Sequence, residues 1–184
     1  MRKLIFAINI TIDGYADHTS VIADDELHGY FTGLLRESDI EIFGRNTYNL
    51  MYPYWYDVAM NQSETKAINE FARTFDSIPK IVFSTTLKSV EWNNTTLLRS
   101  NLQEEIVKLK QQPGKSISIG SISIASQLTQ LGLIDEYHFV VHPIIVGKGR
   151  RLFEGLEISQ QLELIDTQRF KSGVVVFHYK KIGG

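Results

Sequence analysis

The chain has 184 residues, of which 43% are hydrophobic and 22% charged, and its net charge is -2 at pH 7. This length predicts a single domain over residues 1–184, with a buried core. The weak charge gives no electrostatic basis for binding nucleic acid, and no apolar run approaches the ~20 residues that span a bilayer. Because the chain has no cysteine, disulfides and cysteine-ligated zinc are excluded, and no metal site is predicted. We expect the protein in the cytoplasm.

The first half of the chain alternates predicted strands and helices. An apolar segment over residues 3–12 predicts a strand that ends at the turn Asp13–Gly14. Residues 24–36 are predicted to form a helix, because acidic residues open the segment and apolar residues follow at helical spacing. The pattern then predicts a strand over 39–43, a helix over 62–75, a strand over 80–84 and a loop around Trp92.

The second half continues the alternation and ends in a hairpin. We predict a helix over 101–111, a strand over 116–119, a helix over 121–131, a strand over 136–146 and hairpin strands over 162–170 and 174–180. Strands that alternate with helices indicate an α/β domain with a mainly parallel sheet. The terminal hairpin makes the far edge antiparallel, so the predicted sheet is mixed.

Three strand-to-helix junctions carry small or polar residues, at Gly44–Thr47, Ser84–Thr86 and Gly120–Ser123. Helix starts behind parallel strands present backbone N–H groups to phosphates, and arginine offers a planar fork for the same anion. Taken alone, Gly44–Thr47 and Ser84–Thr86 are more typical of a plain helix start or polar turn than of a ligand site, and the single Gly-Ser turn at Gly120–Ser123 is a weak signal. None of them forms a Rossmann or a Walker glycine motif.

The chain resembles the dihydrofolate-reductase-like family, in particular the riboflavin-biosynthesis pyrimidine reductases. The resemblance lies in the order of the three junctions, in the segment Asn9–Gly14 near the start of the chain and in the segment Gly132–Phe153. The resemblance spans about the whole chain and implies a three-layer α/β/α fold, an NADPH cofactor and a homodimer. Without the cysteines of a deaminase site, the chain resembles a reductase domain standing alone. The resemblance implies these cofactor-binding residues: Ala7, Ile8, Gly14, Gly44, Arg45, Asn46, Thr47, Ser84, Thr85, Thr86, Gly120, Ser121, Ile122 and Ser123.

Two positions differ from the family pattern. Thr11 stands where the family usually has serine, and Ser121 replaces the second glycine of a pair that often has a cis peptide. Both side chains are small or carry a hydroxyl, so we expect cofactor binding to survive. Whether the Gly120–Ser121 peptide is cis stays open at this point, because a cis bond before a residue other than proline is costly.

Hydride transfer requires a substrate aligned with the cofactor and often a proton donor. The candidate catalytic residues are Asp13, Asp25 and Glu26. Their alternative roles are turn formation before Gly14 and capping of the helix over 24–36. The sequence leaves both possibilities open.

The aromatic run Met51–Asp57 is predicted as a loop that forms a stacking wall for a flat heterocycle. Core packing or a dimer contact is the alternative. Candidate substrate-pocket residues are His28, Tyr52, Tyr54 and Trp55. His142 has the setting of a satisfied core histidine, and the loop Gly147–Arg151 is predicted either to reach a substrate anion or to be a solvated turn.

Two functions follow from the resemblance and these residues. The first is an NADPH-dependent reductase that transfers a hydride to a pterin-like or aminopyrimidine heterocycle. The second is a non-catalytic, dimeric nucleotide-binding or scaffold protein of the same fold, which the absence of an unambiguous proton donor keeps open.

Overall fold

The computed structural model describes residues 1–16 and 18–183. Its strands are β1 Leu4–Thr11, β2 Ser38–Gly44, β3 Lys80–Phe83, β4 Thr95–Leu98, β5 Ser116–Ile119, β6 Glu136–His142, β7 Leu162–Arg169 and β8 Val175–Lys181. Its α-helices are α1 Asp25–Arg36, α2 Arg45–Asn61, α3 Lys66–Ser77, α4 Leu102–Gln111 and α5 Ile122–Gln130. A short 3-10 helix covers His18–Ser20.

All eight strands belong to one sheet in the spatial order β4-β3-β2-β5-β1-β6-β8-β7. The first six strands of that order pair in parallel, and β8 and β7 pair antiparallel at the far edge. The predicted mixed sheet with an antiparallel C-terminal hairpin is therefore confirmed. The carboxyl ends of β1, β2, β3 and β5 lie at the same end of the sheet, since parallel strands share a direction.

Helices cover both faces of the sheet. On one face, Ile42 of β2 belongs to a buried cluster with Ile106 of α4 and Ile124 of α5. On the opposite face, the neighbouring Phe43 belongs to a cluster that includes Phe71 of α3 and residues of α1 and α2. Because successive strand side chains point to opposite faces, this arrangement confirms the predicted three-layer α/β/α fold.

The run Met51–Asp57 is not a loop, and that prediction was wrong. It lies inside α2, a 17-residue helix with Pro53 in its interior. A proline costs a helix about 3 kcal/mol because it removes one hydrogen bond. Here Met51 and Trp55, one helical turn apart, pack against the Phe43 cluster, and this burial offsets that cost. No helix among residues 1–16 and 18–183 is long and apolar enough to cross a membrane.

Other helices and strands have boundaries that differ from the predicted ones, at places where the local sequence pattern is weak. The helix predicted over 62–75 begins at Lys66, after the N-cap residue Thr65. The strand predicted over 136–146 ends at His142, because Pro143 has no N–H for the ladder. The four-residue edge strand β4 was missed, since it is too short to show alternation.

Candidate active site

A deep cavity of about 480 Å³ lies between the central strands and the helices α1, α2 and α3. Strand residues and the residues that follow the strands form its floor: Ala7, Ile8, Asn9, Glu41, Phe43, Ser118, Ile119, Gly120 and Ile122. Helix residues form its walls, among them Leu27, His28, Phe31, Thr47, Leu50, Met51, Tyr54 and Trp55. The lining is mostly apolar and aromatic with a few polar groups, as is typical of small-molecule sites.

A second, polar groove of about 500 Å³ lies at the carboxyl ends of β2, β3 and β4. Its lining is rich in hydroxyl and guanidinium groups: Gly44, Arg45, Asn46, Phe83, Ser84, Thr85, Thr86, Leu98, Arg99, Ser100, Leu102, Ser123, Ile124 and Gln127. Two arginines and five hydroxyl side chains in one groove suit an anionic ligand rather than an apolar one.

The start of α2 lies between the two spaces. Gly44 and Arg45 line the polar groove, and Thr47, one helical turn on, lines the deep cavity. A Cβ at Gly44 would lie 3.0 Å from the Ser121 hydroxyl and 3.2 Å from that of Ser123. Glycine therefore lets the junction after β2 pack directly against the junction after β5.

The groove provides backbone donors as well as side chains. Helices α2 and α5 both begin without a hydrogen bond from an N-cap side chain, so N–H groups of their first turns are available to a ligand. Arg45 is exposed, and its Nη1 donates to the Thr86 hydroxyl at 2.7 Å. This contact ties the junction after β2 to the junction after β3. Arg99, which the sequence did not single out, donates from Nη2 to the carbonyl of Leu87 at 2.6 Å.

The predicted cofactor residues divide between the two spaces. Five of them line the deep cavity: Ala7, Ile8, Thr47, Gly120 and Ile122. Seven line the polar groove: Gly44, Arg45, Asn46, Ser84, Thr85, Thr86 and Ser123. Gly14 and Ser121 line neither. Ser121 is buried behind Gly44, and Gly14 forms a turn whose N–H donates to the Thr11 carbonyl. The Gly120–Ser121 peptide is trans.

None of the three candidate catalytic carboxylates lines the deep cavity. Asp13 accepts the Thr11 hydroxyl at 2.6 Å and the Gly147 N–H at 2.8 Å. The Thr11 hydroxyl contributes most to lowering the pKa of Asp13, with help from the backbone N–H groups. Asp25 accepts the Thr65 hydroxyl, and Glu26 accepts the backbone N–H of Lys171. Each carboxylate thus holds two chain segments together.

Three of the four predicted substrate-pocket residues line the deep cavity, namely His28, Tyr54 and Trp55. The His28 ring lies against the Trp55 ring, and its Nδ1 is 2.8 Å from the carbonyl oxygen of Asp24. Tyr52 lies outside the cavity, because its ring stacks on Tyr48 at 5.6 Å between centroids. Tyr52 also packs against the Phe43 cluster.

Sequence reasoning missed Glu41, which lines the floor of the deep cavity and is only 3% exposed. Burial raises the pKa of its carboxyl to about 7, although a hydrogen bond from the Ser118 hydroxyl and the charge of Lys80 oppose the rise. A glutamate within the apolar run Ile-Glu-Ile-Phe was the available signal, since such strands are buried on both faces in α/β proteins.

The loop Gly147–Arg151 lines neither space. Its Arg151 donates from Nε to the Tyr15 hydroxyl at 3.1 Å, and the Arg150 carbonyl accepts the N–H of Ala16. His142 is buried, with Nε2 3.0 Å from the Asn9 side-chain oxygen and Nδ1 accepting the N–H of Ile22. Both nitrogens of the His142 ring are satisfied, as predicted for a core histidine.

One cluster away from these spaces has residues of metal-ligand type. Glu136, His138 and His178 each place a ligand atom within 4.8 Å of the others. The two imidazole rings stack at 4.0 Å with 16° between their planes. A metal ion binds in the plane of an imidazole, and two nearly parallel planes share no such point near both rings. Lys3 also forms an ion pair with Glu136 at 2.6 Å. The cluster as folded is therefore a polar packing contact.

The comparison with known families agrees with this geometry. The family model of the RibD C-terminal domain matches residues 2–176. The chain belongs to the RibD C-terminal domain family. Two Bacillus subtilis (strain 168) relatives cover nearly the whole chain. The uncharacterized protein YyaP is 30% identical over 97% of this chain and 95% of its own length. The uncharacterized protein YwjB is 25% identical over 97% of both.

Solved structures share the fold. A putative riboflavin biosynthesis protein from Shewanella sp. PV-4 has a TM-score of 0.73 and 20% identity, over 98% of this chain and 99% of that chain. A diaminohydroxyphosphoribosylaminopyrimidine deaminase/5-amino-6-(5-phosphoribosylamino)uracil reductase from Thermotoga maritima has a TM-score of 0.66 and 15% identity, over 98% of this chain and 57% of that chain. This chain therefore has a dihydrofolate-reductase-like fold.

Proposed function

We propose that the protein is an NADPH-dependent reductase that transfers a hydride to a flat nitrogen heterocycle of the pterin or aminopyrimidine type. The observation that carries this proposal is that the two spaces are neighbours, since consecutive residues at Gly44–Thr47 and at Gly120–Ser123 line one space and then the other. An extended ligand with phosphates at one end and a planar ring at the other fits such a pair of spaces. Membership of a family with reductase members supports the same conclusion.

The residues of the polar groove fit the adenosine and phosphate end of NADPH. Arg45 and Arg99 supply positive charge, and Ser84, Thr85 and Thr86 supply hydroxyl groups. Guanidinium groups bind phosphate through two parallel hydrogen bonds, which suits a cofactor with a 2′-phosphate. We therefore expect NADPH to bind more tightly than NADH.

The deep cavity fits the reacting rings. Ala7, Ile8 and Gly120 present backbone and small side chains on the floor, and Tyr54 and Trp55 present aromatic rings on the wall. NADPH, when bound, supplies the hydride. The chain supplies a mostly apolar cavity, an aromatic wall that orients the second ring, and backbone groups that hold the first.

The test is binding of NADPH and NADH to the purified protein by isothermal titration calorimetry, followed by NADPH oxidation at 340 nm with pterin and aminopyrimidine substrates. We expect micromolar NADPH binding and a preference of about tenfold or more over NADH, the size of one good charge-assisted contact. No binding at millimolar NADPH would contradict the proposal. Binding without turnover on any heterocycle would instead support the non-catalytic, nucleotide-binding alternative.

We also propose that the protein is a homodimer, as the family resemblance implies. Ile144 and Ile145 follow β6 and are 38% and 76% exposed, respectively. Adjacent exposed isoleucines favour a contact with another chain. Light scattering after gel filtration should give twice the mass of one chain, and Ile145→Asp should lower it. Leu131→Asp, at an exposed position of similar character, is the matched control and should leave the dimer intact.

A further inference from the structure

A row of polar residues crosses the sheet at the floor of the deep cavity, and Glu41 and Ser118 of this row line the cavity. The strand register pairs Glu41 of β2 with Lys80 of β3 on one side and with Ser118 of β5 on the other. Paired residues of adjacent strands project from the same face of a sheet. Phe43, two residues beyond Glu41, also lines the cavity, so this is the face that α1, α2 and α3 cover.

The ammonium group of Lys80 is occupied elsewhere. It donates to the carbonyl oxygens of Asp76 at 2.8 Å and of Ile78 at 2.9 Å, and it lies 4.4 Å from the centre of the Trp92 ring. No cation among the described residues forms an ion pair with Glu41. Apolar surroundings without a contacting cation favour the neutral form of a buried carboxyl.

The Glu41 carboxyl has an unused oxygen. Its Oε2 is buried and has no hydrogen-bond partner among residues 1–16 and 18–183. Its Oε1 lies against Gly120, where an added Cβ would come within 2.6 Å. Buried side-chain oxygens in proteins nearly always have a partner, so an orphan on the floor of a cavity points to a ligand.

No other carboxyl lines the cavity in the described part of the chain. The ionisable groups on the elements around Glu41 and its cavity are Lys80 on β3, His28 on α1, Tyr54 on α2, Asp76 on α3 and His18 on the 3-10 helix. Of these, His28 is bonded to the Asp24 carbonyl, and the Asp76 carboxylate accepts the indole N–H of Trp92. Glu41 is therefore the group best placed to recognise a polar ring edge.

We propose that Glu41 is the polar anchor of the deep cavity, and that it binds an uncharged lactam heterocycle through the ring N–H and the adjacent carbonyl. In the neutral carboxyl the unpartnered Oε2 carries the proton and donates to the lactam carbonyl, and Oε1, with the second of its two lone pairs, accepts the ring N–H beside the Ser118 hydroxyl. The inference rests on the proposed function in taking the deep cavity as the ring-binding end. It narrows the substrate class to heterocycles that carry an N–H beside a carbonyl.

Two probes separate lactam recognition from general ring packing. Quinazolin-4-one carries the N–H, and 3-methylquinazolin-4-one replaces it with a methyl group. Calorimetry at pH 6, without NADPH, should show that the wild type prefers quinazolin-4-one by about tenfold or more, the discrimination expected of one buried hydrogen-bonded pair. Glu41→Leu should abolish the preference. Glu41→Gln should keep it, because a carboxamide also offers one donor and one acceptor.

The pH dependence provides a second readout. Between pH 6 and pH 8, the wild type should lose affinity for quinazolin-4-one by about tenfold, because the competent neutral form becomes a minority. Glu41→Gln should show no such loss, since its side chain does not titrate. Thermal melting of each variant checks that it folds. If Glu41→Leu does not fold, the comparison between wild type and Glu41→Gln decides.

Three results would overturn the inference: equal affinity of the wild type for both probes, a preference that survives in a folded Glu41→Leu, or wild-type affinity that does not change with pH. Absence of quinazolin-4-one binding at millimolar concentration would overturn it too. NADPH binding, measured separately, distinguishes the two proposals. If the protein binds NADPH but its binding of quinazolin-4-one does not depend on Glu41, only the inference about Glu41 is contradicted. If binding of quinazolin-4-one depends on Glu41 but NADPH does not bind, only the proposed cofactor is contradicted.

Discussion

Arg45 donates from Nη1 to the hydroxyl of Thr86 at 2.7 Å, and this bond joins the start of α2 to a segment 41 residues further along the chain. The segment Ser84–Thr86 was predicted as a strand-to-helix junction, but in the structure a loop and then β4 follow β3. Both residues line the polar groove, and the guanidinium group remains exposed. The contact holds the arginine over the groove in the absence of ligand, so less side-chain freedom is lost when an anion binds.

Replacement of Arg45 should weaken the cofactor's phosphate end selectively. We expect Arg45→Gln to raise the Kd for NADPH by about tenfold or more, with a smaller effect on NADH, because a charge-assisted hydrogen bond contributes about 1.5–3 kcal/mol. Calorimetry at two salt concentrations measures the Kd values of both NADPH and NADH for the wild type and for Arg45→Gln. Arg169→Gln, an exposed arginine on β7, is the matched control. An equal loss for NADPH and NADH would show that Arg45 does not contact the 2′-phosphate.

Two glycine-to-alanine changes should have opposite effects on stability. Gly44→Ala puts a Cβ about 3 Å from two serine hydroxyls, so we expect a loss of about 1 kcal/mol and weaker NADPH binding. Gly33 lies within α1, and an added Cβ there has nothing within 4 Å. Gly33→Ala should therefore stabilise the protein by about 0.5–1 kcal/mol, the difference in helix propensity. Urea unfolding measures the free energy of unfolding of both variants. If Gly44→Ala stabilised the protein, the segments after β2 and β5 would not be closely packed at this glycine.

The buried side chains of Glu41 and His138 should change the stability of the folded protein with pH in opposite directions. Burial raises the pKa of Glu41 from 4.5 to about 7, so the folded state keeps a proton that the unfolded state releases, and this contribution is lost as pH rises through that range. Burial, with help from the adjacent His178, lowers the pKa of His138 from 6.5 to about 4, so its contribution is lost as pH falls through that range. The wild type should therefore be nearly flat in stability between pH 4.5 and 6.5.

Single variants separate the two opposing slopes. Glu41→Gln should unfold less readily as pH rises from 4.5 to 6.5, and His138→Gln should unfold more readily over the same range. Each shift of one pKa unit corresponds to about 1.4 kcal/mol, and relaxation around a buried group reduces this figure. Urea unfolding at several pH values gives the slopes. Identical slopes in both variants would mean that neither group titrates as described.

The cluster of Glu136, His138 and His178 should not bind zinc tightly. Its imidazoles are stacked, and Tyr30 holds His138 through a bond of 2.6 Å between the hydroxyl and Nδ1. We therefore expect less than about 1 °C change in melting temperature on adding zinc at tens of micromolar, since a ligand stabilises only when its concentration exceeds its Kd. A clear rise that His178→Gln removes would show that the rings rearrange to form a metal site.

The sequence predicted the residues that lie at strand ends better than the residues that lie on strands. Gly44, Arg45, Ser84 and Gly120 line the two spaces. The sequence singled them out because glycine, hydroxyl and arginine residues after an apolar strand form a local pattern. Glu41 was missed for the opposite reason. Its burial depends on α3 and on the neighbouring strands β3 and β5, which contribute residues far away in the chain.

The wrong prediction of a loop over Met51–Asp57 also arose because the deciding interactions are tertiary and leave no local pattern. Pro53 is a strong local signal against a helix, and the burial of Trp55 that outweighs it is a tertiary effect. The carboxylates Asp13, Asp25 and Glu26 were plausible catalysts by their position along the chain. Their hydrogen-bond partners come from distant segments, such as Gly147, Thr65 and Lys171, and no local pattern announces such pairs.

The proline inside α2 also bears on how a ligand enters the deep cavity. Pro53 has no N–H to donate to the carbonyl of Asn49, so α2 lacks this one hydrogen bond in the turn that carries Leu50 and Tyr54, two residues of the cavity wall. Helices kink most readily where such a bond is missing. We therefore expect this wall to adapt to rings of different size more easily than the floor at Glu41 and Gly120, which belongs to the sheet and to the turn that follows it.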